Sequence, residues 1–164
     1  MKIRNTMETI LIPIDFNVES LLTLRIALNH HTDGKINVIL MYSESLGDSI
    51  TDLLFYNPQK TIKALLKPDF EEALSIIKNR YETTVHHIRI ELFHGYNSNA
   101  LKRFIEAKRI SNIYLPKNYQ LKPPKNGFDP TSLFRKSKID FKEIEWNIDK
   151  HTHQHLSLIS LFAN

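Results

Sequence analysis

The chain has 164 residues, 41% of them hydrophobic and 24% charged, with 22 lysines and arginines against 18 aspartates and glutamates. That balance fits one globular domain: too apolar for a disordered tail, lacking the ~18-residue apolar run of a membrane span, and too mildly basic to imply nucleic acid. Cysteine is absent, which excludes disulfides, thiol catalysis, thiolate zinc sites and iron–sulfur centres. The opening MKIRNTMETILIPID lacks a long apolar stretch and a small-residue cleavage site, so the expected location is the cytoplasm.

The run Ile10 to Ile14, closed by Asp15 and Phe16, reads as a central parallel strand covered on both faces. Asn17 is placed to cap a helix carrying Leu21, Leu24, Ala27 and Leu28 at helical spacing and ending near Asp33-Gly34. Ile36 to Met41 then gives a second buried strand, completing a strand–helix–strand unit. Between residues 43 and 66 the pattern predicts a loop and short helical pieces broken at Asn57-Pro58. Pro68 with Asp69, Glu71 and Glu72 opens a helix whose stripe is Phe70, Ala73, Leu74, Ile77 and Tyr81. Val85 to Phe93 alternates, as an edge strand with one wetter face does, and Asn97 starts a helix bearing Leu101, Phe104 and Ile105. Ile113 to Leu115 is a short strand ended by Pro116, followed by a loop rich in lysine and proline, and Asp129-Pro130 opens a short helix through Phe134. Ile139 to Trp146 reads as the last strand, with a bulge where the apolar phase slips between Phe141 and Ile144. One domain over residues 1–148 and an extension over 149–164 are expected, the latter packing on the domain or on a dimer mate.

The segment ILIPIDFNVESLLTLRIALNHH followed by KINVILMY, and later HGYNSNALKRFIEAKRISNIYLP, resembles the universal stress protein family in element order and, at the first strand, in wording. The resemblance implies a three-layer, Rossmann-like α/β sandwich with a five-stranded parallel sheet of order 3-2-1-4-5, and a homodimer. Nucleotide-binding members of that family carry the loop Gly-x2-Gly-x9-Gly-Ser/Thr after the fourth strand. Here the stretch is PKNYQLKPPKNGFDPTS, with Gly127 its only glycine and a proline pair in the middle. Prolines remove amide donors, so a backbone cradle for phosphate is not expected. What carries over is Asp15, at the end of the first strand, and Thr131 or Ser132, at the end of the loop.

In the fold the resemblance implies, sheet order reverses between the first and fourth strands, which would bring Asp15 and Pro116-Lys117 to the usual ligand crevice of open α/β sheets. Two readings stand for Asp15: acceptor for a ligand's ribose or base, or acceptor for its own chain's amides. Residues 117–138 hold Lys117, Lys122, Lys125, Arg135, Lys136 and Lys138 against Asp129 alone, a cluster able to attract a small anion or to remain a solvated face. Nucleic-acid binding is not expected, since the basic loop, with Tyr119 and Phe128 as its nearby aromatics, is not interleaved with a stacking platform. His151, His153 and His155, at ~7 Å steps if extended, are loosely spaced for one zinc ion and read first as a solvated turn. His86, His87 and His94 are expected at a strand rim without a catalytic partner, and the apolar Leu156 to Phe162 is expected to pack somewhere.

The leading expectation is a non-enzymatic intracellular binding or regulatory module with an altered or lost ATP site, needing no cofactor. The alternatives are an ATP- or AMP-binding protein or nucleotide-dependent enzyme using Asp15 and the basic loop, and a ligand-free dimerisation domain. The absence of Gly-x4-Gly-Lys-Ser/Thr and of Ser-Gly-Gly-x-Asp-Ser weighs against the enzyme.

Overall fold

Thr9–Pro13 (β1) is buried at every position, as a strand sandwiched between two helix layers requires. The computed structural model describes residues 7–146. Around β1 lie Ile36–Ser43 (β2), Val85–Phe93 (β3), Asn112–Pro116 (β4) and Lys142–Ile144 (β5), in the order β3-β2-β1-β4-β5 with every neighbouring pair parallel. This is the α/β, Rossmann-like sheet of order 3-2-1-4-5 that the sequence implies. The extension 149–164, with His151, His153, His155 and Leu156 to Phe162, lies outside the described residues.

The two-residue period of the strands assigns the layers. Ile10, Ile12 and Ile14 with Val38, Leu40 and Tyr42 face Leu21–His30 (α1) and Pro68–Arg80 (α4). Leu11, Ile39, Met41, Ile113 and Leu115 face Ser98–Ala107 (α5) and Thr131–Lys136 (α6). Ile50–Leu54 (α2) and Pro58–Leu65 (α3) fill the connection from β2 to α4 and contain no buried residue. Asn57 accepts from the amides of Gln59 and Lys60, and Asn97 from that of Ala100, so these two asparagines cap as their positions suggest.

Four local expectations are corrected. Asn17 does not cap with its side chain: Val18–Ser20 is a 3-10 turn, and the Asn17 amide donates to the Lys122 carbonyl at 3.2 Å while its oxygen accepts from Lys67 Nζ at 2.9 Å. α1 ends at His30, and Gly34 supplies the following turn at φ 75°. β5 covers three residues, and its pairing with Tyr114 to Pro116 runs without a bulge. The slip in phase is a change of face, because Phe141 packs toward α5 and α6 whereas Ile144 and Trp146 pack toward α1. The register shift in the sheet lies instead between β2 and β3, at Ile36/Asn37.

Trp146 locks the far edge. Its indole N–H donates to Thr23 Oγ1 at 3.0 Å, both residues being buried, and its ring stacks on Tyr119 with centroids 4.4 Å apart. Trp146→Phe is expected to cost about 1–3 kcal/mol, since the smaller ring leaves the Thr23 hydroxyl without this partner. Urea unfolding checks it: adding Thr23→Val should recover part of the loss, because removing both polar groups leaves neither unmatched.

Candidate functional site

The crevice where β1 and β4 part company begins with an unfavourable turn. Phe16, directly after Asp15, adopts φ 63°, a left-handed conformation that costs a bulky residue about 1–2 kcal/mol. Its ring is fully buried, 4.9 Å from the Tyr42 ring and 5.4 Å from that of Phe70, and this aromatic packing offsets the strain. The turn aims the Asp15 carboxylate back over the end of the sheet, where Oδ1 accepts from the Asn17 amide at 2.9 Å.

Its other oxygen is taken by a distant part of the chain. Asp15 Oδ2 accepts from Tyr119 Oη at 2.6 Å and from the Lys122 amide at 2.9 Å, and the residue is 0% exposed. Asp129 acts in parallel: Oδ2 accepts from the Leu121 amide at 3.2 Å, while Oδ1 takes the Thr131 amide and hydroxyl. Two carboxylates therefore clamp the successive amides of Leu121 and Lys122. The rest of the loop is stitched across β2, with Ser45 N–H donating to Asn126, Phe128 N–H to Ser43 and Tyr42 Oη to Pro124, all to backbone carbonyls. Gly127 forms an antiparallel bridge with Glu44, and a Cβ there would lie 2.3 Å from Tyr42 Oη, so its glycine permits close packing.

The residues singled out in the sequence thus fall into different settings. Asp15 is the hub of the closed crevice, and its donors are its own chain's. Gly127 packs on Tyr42, Thr131 is engaged by Asp129, and Ser132 lines a separate recess with Tyr96 and Lys136. Lys117 pairs with Glu145 at 3.5 Å and Arg135 with Glu143 at 2.6 Å, so carboxylates around β5 face two of the six cations. Burial, reinforced by the charges of Glu44 and Asp15, pushes the Tyr42 phenol up to about 12. Burial and then the bond to Asp15 raise Tyr119 further.

A second polar cluster was not read from the sequence. Tyr56 Oη lies 2.8 Å from Glu44 Oε1 and 2.9 Å from His94 Nε2, and that nitrogen is 2.9 Å from the same carboxylate oxygen. The parallel register pairs Ser43 with Phe93, so the residues next in line, Glu44 and His94, emerge side by side. That register was the available signal, and it depends on a pairing of strands distant in sequence. His94 therefore has an acid partner, contrary to the expectation; His86 and His87 are exposed within β3.

No protein-family model matches the sequence, and no curated protein does. Among solved structures, the chain is similar to a hypothetical protein, PH0823, at 16% identity and a TM-score of 0.52, over 87% of this chain and 99% of that one. A protein from the universal stress protein family of Burkholderia pseudomallei matches at 16% identity and a TM-score of 0.47, over 85% and 97% of the two chains. The universal stress protein UspA from Lactobacillus plantarum matches at 16% and 0.45, over 84% and 96%. At these identities the likeness is one of fold.

Asp15→Ala is expected to destabilise the domain by about 3 kcal/mol, because two amides and a phenol lose a charged acceptor together; urea unfolding of the full chain measures it. The raised phenols set an alkaline limit. Unfolded tyrosines release their protons near pH ~10 while Tyr42 holds its proton to about 12, so this contribution is full below the lower value and falls as pH rises between the two. Tyr42→Phe is expected to lose some stability at about pH 9 but to show a shallower further loss by about pH 11, read from urea midpoints.

Proposed function

We propose that the protein is a non-catalytic, intracellular binding or regulatory module, working as a homodimer, whose nucleotide crevice is closed by its own chain. The observation that carries this reading is the occupancy of Asp15. A ligand's ribose or base would have to displace Tyr119 and the Lys122 amide from a fully buried carboxylate, breaking hydrogen bonds to an ionised acceptor. Phosphates would meet no substitute for a glycine cradle, since Pro123 and Pro124 lack amide hydrogens and Gly127 N–H already donates to the Pro124 carbonyl. The homodimer reading is supported by β5, a three-residue outer strand whose outer edge is unpaired among the described residues and suits pairing with a second copy.

Calorimetric titration with ATP and with AMP tests the closed crevice. The expected result is a dissociation constant weaker than about 1 mM for both. Micromolar binding that disappears in Asp15→Ala would overturn it in favour of an adenine-nucleotide-binding protein. Native mass spectrometry of the same sample is expected to show the dimer mass without bound nucleotide.

A further inference from the structure

Beyond β2, a cavity of about 320 Å³ lies between the strand's end, α2, α3 and residues 125–126, at the lower end of the size range of small-molecule sites. Leu53, Ala64, Leu65 and the Tyr56 ring give it apolar walls, and Glu44 and Asp52 give it two carboxylates. Glu44 is built into the wall: it is 8% exposed, and Tyr56 and His94 both hold its Oε1. Its Oε2 has no hydrogen-bond partner among the described residues.

Tyr56 Oη donates to Oε1, and His94 Nε2 lies 2.9 Å from the same oxygen and donates to it in the tautomer that carries its proton there. Burial and the bond to Glu44 push the Tyr56 phenol upward, which keeps it a donor. Glu44 is thereby oriented by two side chains while its second oxygen remains to receive a donor from the cavity. Among the described residues Lys125 is the one cation on the lining, and it is exposed and screened by water, as Asp52 is, whereas Glu44 is shielded. The balance favours a positive ligand and disfavours phosphate.

We propose that this cavity binds a small molecule bearing a protonated amine on an apolar body, with the ammonium on Glu44 Oε2 and the body against Leu53, Leu65 and the Tyr56 ring. A charge-assisted hydrogen bond and contact between cation and aromatic face then act together. α2 and α3, which form the roof, contain no buried residue, and Leu65 at the end of α3 packs against the core. The site lies beside the Asp15 crevice and shares Lys125 and Asn126 of the closing loop as one wall, whereas Glu44, Leu53, Tyr56 and Leu65 lie outside that loop.

The test compares three probes of similar shape and different charge, 2-phenylethylamine, 2-phenylethanol and phenylacetate, titrated into the full-length protein at neutral pH and followed by amide chemical shifts. The amine is expected to bind at least about tenfold more tightly than the alcohol, to shift the amides around Glu44, Tyr56 and Leu65, and to be unmatched by phenylacetate. Glu44→Gln, which keeps an oxygen for Tyr56 and His94, should weaken the amine about tenfold or more and leave the alcohol unchanged. Asp52→Asn should weaken it less, and with the probe series in the unsubstituted protein it decides the matter if Glu44→Gln fails to fold. Equal affinity for all three probes, no amine binding at millimolar concentration, or undiminished binding in a folded Glu44→Gln protein would overturn the proposal. ATP binding at Asp15 would overturn the closed crevice, whereas the amine's dependence on Glu44 tests this site separately, because Glu44, Tyr56 and His94 lie outside the loop.

Discussion

A carboxylate sealed from water must be satisfied from within, and Asp15 is satisfied by donors 2, 104 and 107 residues away in sequence. That requirement organises the sheet's carboxyl edge. Once Tyr119 and the Lys122 amide are committed to Asp15, the segment after β4 must cross back over β1, and its remaining residues reach β2. There Pro124, Asn126 and Phe128 find partners on Tyr42, Ser45 and Ser43. Tyr119 couples the same point to the opposite edge through its stack on Trp146, which is tied in turn to Thr23 of α1. Losing the carboxylate would therefore loosen three strands' ends together, while losing a surface pair such as Lys117–Glu145, more than half exposed on both sides, would cost about 1 kcal/mol or less.

Open α/β sheets bind ligands where strand order reverses because backbone ends and helix starts leave unpaired polar groups there. In this chain the same groups are used internally. Asp129 repeats the arrangement of Asp15 one residue earlier along the loop, and the strained turn at Phe16 is held by aromatic packing on Tyr42 and Phe70. A second polar cluster lies one strand over, at the ends of β2 and β3, where Glu44 and His94 stand side by side.

The sheet was legible because strands covered on both faces read as unbroken apolar runs, and because a cap such as Asn97 acts on an amide three residues away. The closing of the crevice was not. A lysine- and proline-rich stretch with no hydrophobic period gives no local sign that its amides seek an aspartate over a hundred residues earlier, and Asn17 was drawn from its cap by that same loop. The bulge expected between Phe141 and Ile144 took both to face one layer, whereas the two-residue period already puts them on opposite faces and the chain leaving α6 serves both layers in turn. The amides of Asn17 and Lys122 and the Tyr119 hydroxyl meet at Asp15 only in the folded chain.

Hydrogen exchange at one amide tests the sealing of the crevice most directly. The Lys122 side chain is exposed while its amide donates to buried Asp15. If the loop closes the crevice, this amide exchanges orders of magnitude more slowly than an open peptide, approaching core amides such as that of Leu40, and millimolar ATP leaves its rate unchanged. Exchange at the rate of an unprotected loop, or an ATP-dependent change at Lys122 with the core amides unaltered, would contradict the account.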